Sequence, residues 1–217
     1  MRPTALPRPL AATAAVLAAG VLAACASGPG GAPSAPPGRQ GAPGARGGPA
    51  PGPTFETRNV APARAEIRDA EGRTLGQATF TQGPFGVLVV TELTGLPAGV
   101  HAMHIHDVGR CEAPFTTAGG HYNPLFRQHG MLNRAGFHAG DLPNFTAPAT
   151  GTARAEATSA AFQLGAGVGT LFDVDGSSII IHSGADDYRS DPGGNAGTRV
   201  ACGVITRSAG ADSTGAR

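Results

Sequence analysis

No stretch of the chain sustains an apolar repeat of 3.6 residues, which argues against a helical architecture. The apolar segments are short and rich in β-branched residues: FGVLVVTEL (85–93), SSIIIH (177–182) and RVACGVIT (199–206). Side chains branched at Cβ pack well on a pleated surface, so these runs read as strands. Ala61, Ala63, Ala65 and Ile67 recur at every second position, the period of a strand with one buried face. Asp69-Ala70-Glu71-Gly72 reads as a hairpin turn into a second strand over 74–81. Further strands are expected at 100–107 and 152–157, with a short one inside 162–172. The 34 glycines and 19 prolines supply turns between them. Residues 108–148 are too long for an ordinary connection and read as a functional loop. The expected fold is all-β: about eight short strands in a β-sandwich or flattened barrel.

The ends of the chain do not belong to that domain. Arg2 and Arg8 precede an apolar run at 10–22 that is too short to span a bilayer, so 1–24 reads as a signal peptide. The run ends in Leu22-Ala23-Ala24-Cys25, which resembles the lipobox of bacterial lipoproteins, where cleavage before the cysteine accompanies lipidation of its thiol. The plainer alternative is an ordinary secretory signal with Cys25 incidental. Both imply export; with the lipobox, the expected place is the periplasmic or cell-envelope side of a bacterium. Residues 25–56 are mostly Gly, Pro, Ala and Ser and read as a disordered, semi-stiff tether; 57–208 form the domain, and 209–217 a disordered tail. Membrane contact is expected only through a lipid anchor. With Cys25 assigned to lipid, Cys111 and Cys202 remain and can pair in an oxidising compartment. The net charge of +1 gives no nucleic-acid footprint.

All seven histidines fall between His101 and His182. His104 and His106 are two apart on a strand, so both imidazoles face one side, and His101 faces the other. His121, His129, His138 and Asp141 follow in the long loop, and His182 ends the 177–182 strand. Imidazole nitrogen suits copper and zinc, and one carboxylate among imidazoles favours zinc. Six histidines and one aspartate are too many for one tetrahedral ion. Two neighbouring sites sharing a ligand account for them.

Six stretches carry a resemblance to the copper–zinc superoxide dismutase family, in its bacterial exported form: GVHAMHIHDVG (99–109), GGHYNP (119–124), RQHG (127–130), HAGDL (138–142), HSGADD (182–187) and GNAGTRVACGVI (194–205). The resemblance implies a Greek-key β-sandwich holding one copper and one zinc per subunit. By it, His104, His106, His121 and His182 would hold copper. His121, His129, His138 and Asp141 would hold zinc, with His121 the bridge. Asp186 would accept hydrogen bonds from one histidine of each ion, Arg199 would face the substrate anion, and Cys111–Cys202 would be a disulfide. The implied activity is conversion of superoxide to O₂ and hydrogen peroxide, an antioxidant function, with copper alternately reduced and reoxidised and with Arg199 and His121 as catalytic residues. The alternative is a non-catalytic copper- and zinc-binding lipoprotein on the same fold. A homodimer is the other partner considered, although subunit contacts differ among bacterial members and the resemblance does not carry the oligomeric state over. The segment between His182 and Arg199 departs from the eukaryotic pattern. It is short, contains no lysine, and carries Tyr188, Arg189 and Asp191 where the family steers its substrate.

Overall fold

The alternation at the start of the domain becomes strand β1 (Ala63–Asp69), where every second residue is buried. In the computed structural model, which describes residues 60–208, β1 is followed by β2 (Thr74–Gly83) and β3 (Gly86–Leu93). Then come β4 (Gly99–His101), β5 (Met103–His106), β6 (Phe145–Ala147), β7 (Ala153–Ser159), β8 (Ser178–His182), β9 (Arg199–Val204) and β10 (Thr206–Arg207). The expected signal peptide, Cys25, the tether and the tail lie outside the described residues.

One eight-stranded antiparallel sheet runs in the order β5-β8-β9-β1-β2-β3-β7, with β10 also paired to β1. A two-stranded β4–β6 piece lies apart from it. The all-β architecture is therefore as expected, and three elements differ in detail. The expected strand at 100–107 breaks at Ala102, whose N–H donates to Gly184 and whose carbonyl accepts from His182. Both backbone groups serve a distant segment, so β4 and β5 pair with different partners. The long loop contains β6, and a single turn of 3₁₀ helix at Thr116–Ala118. Residues 162–172 contribute only one bridge, Gln163 to Thr170, around a glycine-rich turn.

The core is lined by Ile67, Phe80, Val87, Val89, Met103, Ile105, Ile179 and Ile181, all essentially excluded from water. β5 is buried on both faces. Met103 and Ile105 enter the core, and the alternation that places them there turns His104 and His106 to the opposite face. β8 repeats the arrangement. Ile179 and Ile181 face the core, while Ile180 packs against Phe115, Ala118 and Cys202. Cys111 and Cys202 are joined by a disulfide, Cα atoms 5.6 Å apart, which ties the start of the long loop to β9. The bridge spans 91 residues of chain. Removing it with Cys111→Ser/Cys202→Ser should cost about 2–5 kcal/mol, read as a lower midpoint in denaturant at unchanged slope.

Candidate metal centre

Backbone pairing brings the histidines together before their side chains meet. His104 bridges to Asp141, and His106 to His121, by isolated antiparallel contacts. His182 stands opposite Arg199 in the β8–β9 register, where an irregularity follows Ile181. Two four-residue donor sets result, each with its atoms within 4.8 Å of one another and all its residues buried: His104, His106, His121 and His182, and His121, His129, His138 and Asp141; a third buried group, His104, His129 and Asp186, links them. His121 belongs to both.

The hydrogen bonds decide which nitrogen of each ring faces its set. A carboxylate only accepts, so His104 Nε2 donates to Asp186 Oδ2 at 2.9 Å and His129 Nε2 donates to Asp186 Oδ1 at 2.9 Å. The Nδ1 atoms of both rings are thereby freed. His106 Nδ1 donates to the Gly119 carbonyl at 3.1 Å, and His182 Nδ1 to that of Gly197 at 3.4 Å. This leaves His104 Nδ1, His106 Nε2 and His182 Nε2 buried with no protein partner. Buried polar atoms without partners are costly and uncommon, and three lone pairs converging on one space suit a cation.

The second set centres on Asp141 Oδ1. His121 Nδ1 lies 2.8 Å from it, His129 Nδ1 3.0 Å and His138 Nδ1 3.3 Å. Asp141 Oδ2 is occupied by the N–H groups of Gly130 and His138, at 2.9 and 3.1 Å, so Oδ1 is the oxygen left for an ion. Three imidazoles and one carboxylate are a zinc-type donor set. The residues present thus fit a copper-type site and a zinc-type site joined through His121.

Electrostatics follow from burial. Burial pushes His121 down to about 4 and His182 to about 3, with His104 adding to both, and holds His106 well below its ordinary value, with His121 and Arg199 adding. These rings stay neutral and ready to ligate. At His129 burial is overcome by the hydrogen bonds it donates to Asp141 and Asp186, which raise it to about 9. At Asp141 and Asp186 burial is likewise overcome, by their histidine partners, and both carboxyls sit far below the usual range.

Arg199 faces the mouth of the first set. Its two terminal nitrogens donate to the carbonyls of Phe115 and Gly119 at 2.6 and 2.7 Å, so the disulfide-tied loop holds the guanidinium in place. A cavity of about 610 Å³ opens there, bordered by His121, His182, Asn195, Asp191 and Arg199. A larger hollow of about 960 Å³ over β1 and β2 contains none of the histidines. His101 lies outside both sets, with its ring nitrogens 2.7 and 2.8 Å from the carbonyls of His182 and Pro97. Arg127, Arg134 and Arg189 are on the surface.

Two residues with evident roles here went unread in the sequence. Gly194, at φ +64, lies so close over Asp186 and His129 that a Cβ would overlap both side chains. Asn144 exchanges two 2.9 Å hydrogen bonds with the backbone of Asp186. A glycine pair in a loop and an asparagine after a proline are ordinary turn signals, so neither stands out.

Residues 74–205 match the sequence profile of the copper/zinc superoxide dismutase family. Among curated relatives, a Cu-Zn superoxide dismutase of Aquifex aeolicus is 44% identical over 146 residues, covering 66% of this chain and 85% of the relative. One of Caulobacter vibrioides is 44% identical over 147 residues, covering 66% and 84%. Among solved structures, a superoxide dismutase-like protein of Bacillus subtilis superposes with a TM-score of 0.62 at 34% identity, covering 64% of this chain and 95% of that one.

A pH optimum follows for the protein stripped of metal by a chelator. Unfolded histidines titrate near 6.5, whereas His121 and His182 resist protonation in the fold to about 4 and about 3. Between those values the unfolded chain binds more protons, so stability falls as pH drops from 6.5. The low carboxyls of Asp141 and Asp186 steepen that loss below about 4. His129 acts oppositely: its contribution is present below 6.5 and lost as pH rises through about 9. Denaturant midpoints measured from pH 4 to 9 should peak near pH 6.5. A midpoint still rising at pH 9 would contradict the assignment for His129.

Proposed function

The chain belongs to the copper/zinc superoxide dismutase family, and we infer that it is an exported enzyme whose own residues carry that family's chemistry as follows. It is an oxidoreductase that converts two superoxide ions and two protons to O₂ and hydrogen peroxide, with copper and zinc as cofactors. The reading of the residues rests on one observation: three imidazole nitrogens, buried and unpartnered, beside a guanidinium at the mouth. His104, His106, His121 and His182 would hold copper, and His121, His129, His138 and Asp141 zinc. Bound there, copper supplies one-electron redox chemistry in both directions, and zinc, without redox chemistry of its own, supplies fixed charge.

The protein's own groups do the rest. Arg199 stays protonated at any working pH and offers paired donors to a small anion. Its carbonyl partners leave it fixed in direction, so binding the anion costs little reorganisation. His121 holds Nδ1 against Asp141 and presents Nε2 on the other side of its ring, the atom that takes up and returns a proton as peroxide forms. Asp186 keeps His104 and His129 in the tautomer that turns Nδ1 to the ions. A storage protein on this fold would have no use for a guanidinium aimed at its copper site.

Pulse-generated superoxide should be consumed catalytically by the copper- and zinc-loaded protein. Arg199→Glu should slow it about tenfold or more while copper content, measured by atomic emission, stays near one per chain. A variant as fast as the parent would remove Arg199 from the mechanism.

A further part of the reading concerns the N-terminal residues, outside the described ones. Signal cleavage before Cys25 followed by lipidation of its thiol would place the enzyme at a bacterial membrane on the exported side, with 25–56 as its tether. Cys25→Ser should move the protein from the membrane pellet to the soluble fraction of an expressing bacterium, and an unchanged pellet would refute the anchor.

A further inference from the structure

Tyr188 stands in the segment where the family steers its substrate, yet it is not among the residues that border the mouth. Its contacts reach three other parts of the chain. The phenol oxygen accepts from the Asn144 N–H at 2.7 Å. The carbonyl accepts from the Leu132 N–H at 3.0 Å, inside the loop between His129 and His138. Its own N–H donates to Asp186 Oδ1 at 2.6 Å.

The surroundings are built around these contacts. Tyr188 is held at φ +61, a left-handed backbone that a bulky residue adopts only where its neighbours impose it. Gly130, next to His129, lies so close to the Tyr188 carbonyl that a Cβ would overlap it. Asn144, which receives the phenol, is the residue that clamps the Asp186 backbone from the other side. Asp191, three residues on, accepts from the His129 N–H at 2.6 Å. The segment is therefore bonded to the ligand loop at Asp186 itself and again at Tyr188 and Asp191.

We propose that Tyr188 is a positioning residue: with Asn144 it forms a latch that fixes Asp186, and through Asp186 aims His104 and His129 at their ions. The phenol oxygen accepts from the Asn144 backbone N–H and so adds a further tie to the two that the Asn144 side chain makes with the Asp186 backbone. Without it, Asp186 has its direct bonds to the two imidazoles but loses the frame that sets its angle. Loss is felt at both sites, because one carboxylate serves one histidine of each.

The latch rests on the zinc and copper assignments above, and its test separates the two. The metal-loaded holoprotein and its Tyr188→Phe, Asn144→Ala and Arg189→Ala variants are compared by two readouts. One is the rate of zinc transfer to a colorimetric chelator. The other is hydrogen exchange of the His104 and His129 Nε2–H groups, observed by ¹⁵N NMR in the reduced-copper form. Tyr188→Phe keeps the ring and removes only the acceptor. It should release zinc about tenfold faster and expose both imidazole protons, as should Asn144→Ala. Arg189→Ala, on the adjacent exposed side chain, should match the parent in both. Parental zinc release in Tyr188→Phe overturns the latch. So does faster release with both protons still protected, since the effect would then bypass Asp186. A parent protein that retains no zinc before the chelator is added sinks the zinc assignment itself, and the latch with it.

Discussion

The Asp186 carboxylate is completely buried and divided between two imidazoles, Oδ2 to His104 Nε2 and Oδ1 to His129 Nε2. A carboxylate removed from water is costly unless its oxygens are bonded. Here two of the bonds that satisfy the carboxylate also settle the protonation of a histidine, and a third comes from the Tyr188 N–H. His104 spends its Nε2–H on the carboxylate and presents Nδ1 as a lone pair, whereas His129, bonded to Asp186 through Nε2 and to Asp141 through Nδ1, holds a second proton that an ion would displace. Asp141 does the same on the other side, with Oδ2 held by backbone N–H groups and Oδ1 set among three Nδ1 atoms. The centre is thus a set of lone pairs held apart from water by two anions, which is unfavourable for a protein alone and favourable around two cations. Metal binding and folding are linked in such a site, because the unfolded chain offers no comparable donor set.

The anion side of the chemistry depends on a separate chain of contacts. β9 places Arg199 opposite His182, and the disulfide at Cys202 brings residues 111–119 against the same strand. Two carbonyls of that loop receive the guanidinium, and that of Gly119 also receives His106. The guanidinium proposed to meet superoxide and a ring proposed to hold copper therefore share one backbone acceptor. The sheet contributes rigidity: β5 and β8 bury one face in the core and offer the other to the site, so His104, His106 and His182 stand on strands, while His121, His129, His138 and Asp141 come from the long loop.

Where a side chain's role follows from its immediate neighbours in the chain, the sequence was readable. The alternation of β1, the two-residue spacing of His104 and His106, and the β-branched runs of β3 and β8 are local patterns, and the fold has them. Elements that answer to distant partners were not readable. The break at Ala102 exists because residues 182–184 take its hydrogen bonds, and β6 exists because β4 lies beside it. Asn144 and Gly194 are visible only beside Asp186, from which the chain separates Asn144 by tens of residues. Tyr188 and Asp191 appeared in the sequence as a departure at the substrate entrance. In the structure Tyr188 turns inward to the ligand loop, while Asp191 bonds the His129 N–H and still borders the mouth.

The sequence by itself determined the chemistry on offer: nitrogen and carboxylate donors in numbers that suit two borderline-to-soft cations, a permanent cation near the end of the domain, cysteines able to pair, and strands to carry them. Residue type is written in the chain, and periodicity exposes which face a strand presents. Only the tertiary structure decided which nitrogen of each imidazole faces an ion. That choice belongs to the hydrogen bond on the opposite side of the ring, and for His104, His129 and His182 the acceptor comes from a segment remote along the chain or across a loop. Histidine's two nitrogens are chemically near-equal in isolation, so no local signal could distinguish them.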